Sequence, residues 1–322
     1  MSTFVTASVP ARLHLGFLDL NGGTGRRFGS IGLPLSEPET VVSLAPASST
    51  RVEGPDRERA ARHLETLCRH LNIRARHRLV VEEAIPPHRG LGSGTQMAVA
   101  VAAALRTLHG LPVNAGEDAR FLGRGERSGI GIAAFDEGGL IVDAGRSAED
   151  REPPVVSRIP FPRDWRVILI LDHGHTGIHG QEEIAAFRAL PPFPAQSAAE
   201  ICRRVLMQAL PAAVEEDLEA FGAAIEEIQI QVGSYFAPAQ GGIFASKQVE
   251  RVARRLAEAG AVGIGQSSWG PTGFAFAPNE EAARDYVHAA HEVAEKDIEM
   301  RIVRGRNSGA GVTRRTLGLL GS

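Results

Sequence analysis

The chain has 322 residues, 43% of them apolar and 23% charged, with a formal net charge of −3. That length accommodates two domains of ordinary size, each with its own core. The weak negative charge gives no overall drive towards nucleic acid or an anionic membrane, so any anion site must come from local arginine clusters.

In chain order, residues 1–12 lack the basic start and apolar run of a signal peptide. No later run approaches membrane-spanning length, so a cytoplasmic protein is expected. Residues 4–9 and 12–20 read as strands, and 31–35 and 40–44 as two more, punctuated by proline and glycine. Residues 57–71 form an amphipathic helical pattern. Residues 79–85 read as a strand that runs into a glycine-rich turn, followed by a helical run over 97–108 that ends at Gly110 and Pro112. A helix is expected over 114–123, then short apolar runs at 130–135 and 140–143 around Gly138-Gly139. Residues 147–162, rich in charge and proline, are the best linker. They divide the chain into domains 1–160 and 161–322. Beyond them, 165–171 reads as a buried strand. Helices at 198–210, 212–232 and 246–259 precede strands at 261–264 and 274–277, a helix at 280–294 and a strand at 298–303. With the intervening helices taken as one crossover, the order is β-α-β-β-α-β, the ferredoxin-like order. Cys68 and Cys202, the only cysteines, lie in helical patterns and read as buried, inert thiols.

The segment Pro86-Pro87-His88-Arg89-Gly90-Leu91-Gly92-Ser93-Gly94-Thr95-Gln96 carries the strongest chemical signal. A glycine-rich turn opening a helix presents unpaired backbone N–H groups to an anion. Gly90, Gly92 and Gly94 admit close approach, and Ser93 and Thr95 add hydroxyls. No Gly-Lys-Ser/Thr follows, so this is not a Walker A loop. A second glycine loop, residues 262–273, clusters Gln266, Ser267, Ser268 and Thr272 beside glycines and an exposed-looking Trp269, as a polar-ligand loop requires.

Arg12, His14 and Gly16 alternate and are expected on one strand face, opposite Leu13 and Leu15. Arg26 and Arg27 follow on a glycine-rich turn, where a guanidinium fork suits carboxylate or phosphate. A solvated face and a charged turn are the plain alternative. The strand at 165–171 runs into Asp172-His173-Gly174-His175-Thr176-Gly177-Ile178-His179-Gly180-Gln181-Glu182. Polar groups past the end of a buried strand suit a substrate-contacting loop. Acid–base work and a metal site that includes Glu182 are the alternatives. His63, His70 and His109 fall on polar helix faces and need no function.

These motifs resemble the GHMP superfamily, the group of galactokinase, homoserine kinase and mevalonate kinase. Pro86 to Ser93 is similar to its Pro-x-x-x-Gly-Leu-Gly-Ser phosphate loop. The resemblance implies an α+β fold of two domains, the first like ribosomal protein S5 domain 2 and the second ferredoxin-like. Within the superfamily the chain resembles the β-ribofuranosylaminobenzene 5′-phosphate synthases of methanopterin biosynthesis. That likeness lies in residues 10–16, 25–29, 90–96, 128–135 and 263–271. Mevalonate-type kinases carry a Gly-x-Asp before a Gly-Gly pair, the Asp activating the acceptor hydroxyl. Here Gly131 stands in its place, and glycine takes no proton. Gly94 stands where the kinase loop has its second Ser.

The resemblance therefore implies phosphate binding without phosphoryl transfer. The implied reaction condenses 5-phosphoribosyl 1-diphosphate with 4-aminobenzoate or 4-hydroxybenzoate, releasing CO2 and diphosphate, with Mg2+ on the diphosphate. A homodimer acting on small molecules is expected, with no nucleic-acid or membrane partner. Residues Arg89 to Gln96 are expected to hold phosphate, with Arg12 and His14 beside them, and Arg26 and Arg27 phosphate or the benzoate carboxylate. Asp19 is expected as a Mg2+ or ribose-hydroxyl ligand. Asp172, His173, His175 and His179 are expected around the reacting centre, closed over by Gln266, Ser267, Ser268 and Thr272. An ATP-dependent small-molecule kinase is the alternative enzyme, and a phosphate-binding sensor the alternative without catalysis.

Overall fold

The computed structural model of the chain describes residues 2–147, 152–177 and 180–317. Its first sheet is built on two long strands, β1 (Ser2–Asp19) and β2 (Phe28–Ala47). Each joins two of the strands expected separately. Prolines punctuate the sequence there, but the register shifts between Pro10 and Arg12 and again between His14 and Gly16. Such bulges let a strand absorb an unpaired residue and bend without ending. The chain continues through β3 (Arg51–Glu53), α1 (Arg57–His70), β4 (Arg76–Glu83), α2 (Ser93–Leu108), α3 (Ala115–Phe121), α4 (Ile130–Asp136) and β5 (Leu140–Asp143). Next comes β6 (Val155–Ile159), which lies in the segment expected as a linker and pairs with β5.

The second half runs through β7 (Arg166–Asp172), α5 (Gly180–Ala189), α6 (Ala195–Arg204), a π-helical turn at Val205–Ala209, α7 (Leu210–Glu215), α8 (Leu218–Gln240) and α9 (Lys247–Glu258). It closes with β8 (Val262–Gln266), β9 (Gly273–Ala277), α10 (Glu280–Ala290), β10 (Ile298–Val303) and β11 (Gly311–Leu317). The four-stranded sheet has the order β10-β7-β9-β8. With α5 to α9 as one crossover, that is the ferredoxin-like arrangement. β11 returns to pair antiparallel with β1. A division at residue 160 therefore leaves residues 311–317 on the wrong side of the cut, because they complete the first sheet.

Two cores position the site. In the first, Val5, Ala7 and Val9 meet the almost wholly buried α2, together with Leu64 and Leu67 of α1. In the second, Leu13, Leu15 and Phe17 of β1 meet Leu169 of β7, Phe221 and Ile228 of α8 and Phe274 of β9. The two halves thus share one apolar interior, which holds the N-terminus of α2 against the β8–β9 loop. Gly16, at φ +153°, admits α8: a Cβ there would lie 2.4 Å from Cγ2 of Ile228. Among the described residues no helix is long and apolar enough to cross a membrane.

Candidate active site

The two glycine loops touch through Gly90 and Ser267, 177 residues apart in sequence. Gly90 and Gly92 adopt left-handed φ values of +77° and +83°. A Cβ on Gly90 would lie 2.1 Å from the carbonyl oxygen of Ser267, so only glycine lets the loops close on each other. The Ser267 hydroxyl donates to Gly90 O at 2.7 Å and accepts the His14 N–H at 3.0 Å. Arg12 donates from Nη1 to the same Gly90 carbonyl at 2.6 Å. These bonds aim the start of α2 into a cavity of about 510 Å3. No side chain caps that helix, so its first N–H groups and the positive end of its dipole face the cavity.

The charge of the lining is one-sided. Arg12, Arg59, Arg62 and Arg124 surround Gly92, Ser93, Gly94 and Thr95, with His88, Ser268 and Trp269 completing the wall. Arg59 reaches the Ser93 hydroxyl at 3.4 Å and is held by Asp56 at 3.3 Å. Among the described residues no carboxylate lines the cavity. Burial and the neighbouring Arg59 depress the pKa of Arg124, and the attraction of Glu126 only partly offsets them, which marks a guanidinium with incomplete counter-charge. Its Nε is buried without a partner, as is Nε1 of Trp269. Orphaned donors on the wall of a cationic cavity are suited to an anionic ligand with several oxygens. Gly94 makes room for this: a Cβ there would lie 3.0 Å from Nη1 of Arg124.

Two histidines are kept neutral beside the arginines. His14 has its pKa lowered to about 3 by burial and by Arg12, and its Nε2 has no partner. Its strand face is buried and not solvated, as are Leu13 and Leu15 opposite, and its ring packs on Phe17 with centroids 4.4 Å apart. His63 has its pKa lowered to about 4, by burial first and then by Arg124, Arg59 and Arg62. It is buried under the arginine cluster and does not face solvent.

The other expected site residues are placed as follows. Gln96 is fully buried, and its Nε2 donates to Pro10 O at 2.7 Å. Gly131 lies against this helix turn: a Cβ there would be 3.2 Å from Cγ2 of Thr95 and 3.9 Å from Oε1 of Gln96. Gln266 is a buried linchpin, accepting the Ala245 N–H at 2.7 Å and donating to Gln240 Oε1 at 3.3 Å. Thr272 is buried with its hydroxyl unpartnered. Trp269 is 4% exposed, contrary to its exposed look in the sequence, because Phe187 and Phe236 pack on it.

Several expected ligands have structural partners instead. Arg89 donates to the carbonyls of Asp172, His173 and His175, which fastens the 172–177 loop but takes its fork from the cavity. Asp172 accepts from the Ser246 hydroxyl at 2.5 Å and from the Gly174 N–H at 2.9 Å. His173 is exposed and pairs with Glu299 at 2.8 Å, and His175 is exposed. His179 lies outside the described residues. Among the described residues no group of three metal-ligating side chains occurs. Asp19 accepts the N–H groups of Asn21 and Gly22 at 2.7 and 2.9 Å and so shapes its own turn. Arg26 donates to the carbonyls of Ala144 and Gly145 at 2.8 and 2.7 Å, whereas Arg27 lines a neighbouring cavity. Cys68 is half-buried and Cys202 exposed, so the second is not the buried thiol expected; partial burial raises both thiol pKa values.

Arg59, Arg62, His63 and Arg124 carry much of the site and were not legible as ligands. A larger groove of about 970 Å3, beside α1 and β4, is lined by Leu64, Cys68 and Ile73 with exposed Arg69, Arg74 and Arg76. It has no convergent polar groups comparable to those at the glycine loops.

Residues 58–139 match the model of the GHMP kinases N terminal domain, and residues 209–296 that of the GHMP kinases C terminal domain. The chain is 33% identical over 325 residues to the beta-ribofuranosylphenol 5'-phosphate synthase of Methanothermobacter thermautotrophicus, covering 94% of this chain and 97% of that one. It is 34% identical over 330 residues to the protein of the same name from Archaeoglobus fulgidus, with the same coverage of 94% and 97%. In fold it is similar to L. major mevalonate kinase, with a TM-score of 0.72 at 16% identity over 94% of this chain and 96% of that one.

Proposed function

We propose a function for a chain that belongs to the GHMP kinase superfamily and, within it, to the beta-ribofuranosylphenol 5'-phosphate synthase family. It is a decarboxylating phosphoribosyltransferase. It joins C1 of 5-phosphoribosyl 1-diphosphate to the ring carbon of a para-substituted benzoate that bears the carboxylate, releasing diphosphate and CO2. The relatives' names favour a phenolic product, hence 4-hydroxybenzoate as acceptor. The observation that carries the reading is the cavity in which four arginines and a helix N-terminus converge with no lining carboxylate among the described residues.

The chemistry follows from that charge. Breaking the C1–O bond leaves cationic character on the ribosyl carbon and puts the electron pair on the diphosphate. Preorganised guanidinium groups and backbone N–H groups stabilise that charge as it develops, without reorganising at the moment of reaction. The ring's carboxyl-bearing carbon then attacks C1, and the carboxylate's bond to the ring returns its electron pair to the ring as CO2 leaves. No acceptor hydroxyl is deprotonated, so no base is needed where Gly131 stands. His14 and His63, kept neutral at physiological pH, leave the arginines' charge to the leaving group alone.

The donor set does not fit a Mg2+ ion held by the protein. Mg2+ takes carboxylate and water oxygens, whereas the cavity wall offers guanidinium and hydroxyl groups, and Asp19 is engaged by its own turn. Any requirement for Mg2+ belongs to the free diphosphate substrate, whose oxygens the ion takes. A small-molecule kinase is the second reading, favoured by the fold. Incubating the protein with carboxyl-labelled 4-hydroxybenzoate and phosphoribosyl diphosphate should release labelled CO2 without ATP. Phosphorylation of a small alcohol by ATP, with no CO2 release, would establish the kinase instead.

A further inference from the structure

The cavity at the glycine loops has two unlike walls. On one stand Arg59, Arg62 and Arg124 with the start of α2, and on the other the β8–β9 loop presents Ser268, Trp269 and Gly270. The walls meet at Gly90, where a Cβ would lie 2.1 Å from Ser267 O and 3.4 Å from Gly270 O. Both border the same space of about 510 Å3. Trp269 is fixed in the second wall. Phe236 lies against its ring with centroids 4.3 Å apart at 42°, and Phe187 stands edge-on at 5.3 Å and 80°. The loop that carries it is pinned by the Gly270 N–H donating to Ser267 O at 3.0 Å and by Gln266 Nε2 donating to Ser268 O at 3.3 Å. Trp269 is 4% exposed, and its indole Nε1–H is buried without a protein partner. A buried donor left without an acceptor is a standing cost to the fold, which a ligand oxygen in the cavity would remove.

We infer that the Trp269 indole N–H donates to the carboxylate of the aromatic acceptor, so that the acid lies along the β8–β9 wall of the same cavity that holds the diphosphate. The inference rests on the phosphoribosyltransferase reading and adds to it the residue that holds the acceptor. An indole N–H only donates and a carboxylate only accepts, so the two match in one sense alone. Diphosphate, the more highly charged anion, gains most from the guanidinium groups and the helix N-terminus opposite. The carboxylate has the contrary need. It leaves as neutral CO2, so a positive charge bound to it would hold the reactant more tightly than the transition state and slow the step. A neutral donor orients the carboxylate with less of that penalty. Trp269 is packed among Phe187 and Phe236, and a carboxylate in such apolar surroundings loses its charge more readily than one in water. With acid and diphosphate in one space, the ring's electron pair forms the bond to C1 as the diphosphate takes the pair of the C1–O bond. The bond to the departing CO2 then returns its pair to the ring.

The chain has two tryptophans, Trp165 and Trp269, so proton–nitrogen NMR of the isotope-labelled full chain resolves their indole N–H groups, and Trp165→Phe tells them apart. The probes are 4-hydroxybenzoate, phenol and inorganic diphosphate, each titrated separately, and 4-hydroxybenzoate again with saturating diphosphate. 4-Hydroxybenzoate should move the Trp269 indole proton downfield, as a hydrogen bond to a carboxylate does, and leave that of Trp165 in place. Phenol, which has the ring and hydroxyl but no carboxylate, should not. Trp269→Phe, which keeps a ring but removes the donor, should weaken 4-hydroxybenzoate by about tenfold or more and leave diphosphate unchanged. If that variant does not fold, the wild-type resonances still decide. The assignment is overturned if the Trp269 resonance does not respond to 4-hydroxybenzoate, if the folded variant binds it like the wild type, or if the wild type binds none under either condition. If the resonance follows diphosphate in place of the benzoate, the donor belongs to the phosphate site and the assignment is again overturned. Failure of the reaction itself reads differently: the Trp269 resonance responds to 4-hydroxybenzoate as stated, yet no CO2 is released.

Discussion

Replacing Gly94 by alanine sets helix stability against ligand affinity and so isolates Arg124. A Cβ at this position falls 3.0 Å from Nη1 and 3.4 Å from Cζ of Arg124, so the guanidinium must withdraw by a few tenths of an ångström. Gly94 lies in the first turn of α2 and has no left-handed φ to satisfy. Alanine there narrows the unfolded ensemble and favours the helix, stabilising the fold by up to about 1 kcal/mol. The ligand effect has the opposite sign. Loss of one charge-assisted hydrogen bond from Arg124 to diphosphate costs about 1.5–3 kcal/mol, roughly a 10- to 150-fold rise in dissociation constant. Calorimetric titration with inorganic diphosphate and thermal melting of the same preparation read the two effects separately. The expected result is a melting temperature equal to or above the wild type's with affinity down about tenfold or more, and Gly94→Ser should be no milder. An alanine variant that melts like the wild type and binds diphosphate equally well refutes the assignment of Arg124 to the ligand.

Arg26→Lys and Arg27→Lys should separate cleanly. The Arg26 fork holds two backbone carbonyls, so its loss should lower stability by roughly 1–2 kcal/mol in denaturant melts. Arg27, which donates from Nε to a single backbone carbonyl, that of Leu20, at 3.2 Å and lines the neighbouring cavity, should instead lose less stability and, as a lysine, lower turnover about tenfold. Gly131→Asp should lower synthase turnover and create no ATP-dependent phosphorylation, because the new carboxylate crowds Thr95 and repels substrate anions; phosphorylated product from this variant counts against the reading. His63 gives a pH dependence. Its folded pKa, about 4, lies below the unfolded 6.5, so the unfolded chain binds the extra proton between those values. Stability should fall as pH drops from 6.5 towards 4, and His63→Gln should flatten that part of a pH series of melts. A slope unchanged by the substitution would place the titrating group elsewhere.

The sequence carried the ferredoxin-like half and both glycine loops, because period, β-branched runs and glycine spacing are local signals. It divided β1 and β2 in two because proline and glycine read as breaks, whereas bulges carry the pairing past Pro10. β11 stayed hidden in the polar, arginine-rich Gly311–Leu317, and only its pairing with β1 makes it a strand. The cationic wall was the least legible part. Arg59 and Arg62 lie on the polar face of an amphipathic helix and Arg124 follows a short one, where a guanidinium bound for solvent looks the same as one bound for a ligand. The three-residue spacing of Arg59 and Arg62 puts them on one helix face, but only the packing of α1 on α2 turns that face towards the glycine loop. The histidine-rich run after β7 misled for the opposite reason. Its polar density suggests a site, yet Arg89, Ser246 and Glu299 engage it as structure.

The two glycines that depart from the kinase pattern and the arginines that surround them describe one change of chemistry. Phosphoryl transfer moves negative charge between oxygens on either side of phosphorus, and it needs an oriented hydroxyl with metal-held phosphate oxygens. When the bond that breaks is between a sugar carbon and oxygen, the whole diphosphate leaves as an anion and the nucleophile is a ring carbon with no proton to lose. The carboxylate at position 131 then has nothing to do and would repel the leaving group. A hydroxyl at position 94 would occupy the approach of Arg124. Removing both opens the space through which a buried guanidinium, its Nε unpartnered and its pKa depressed by burial, meets the start of α2. A guanidinium so poorly compensated gains most when diphosphate charge appears beside it. Its cost in the empty protein and its value in the transition state have the same origin, the lack of any carboxylate in the cavity lining.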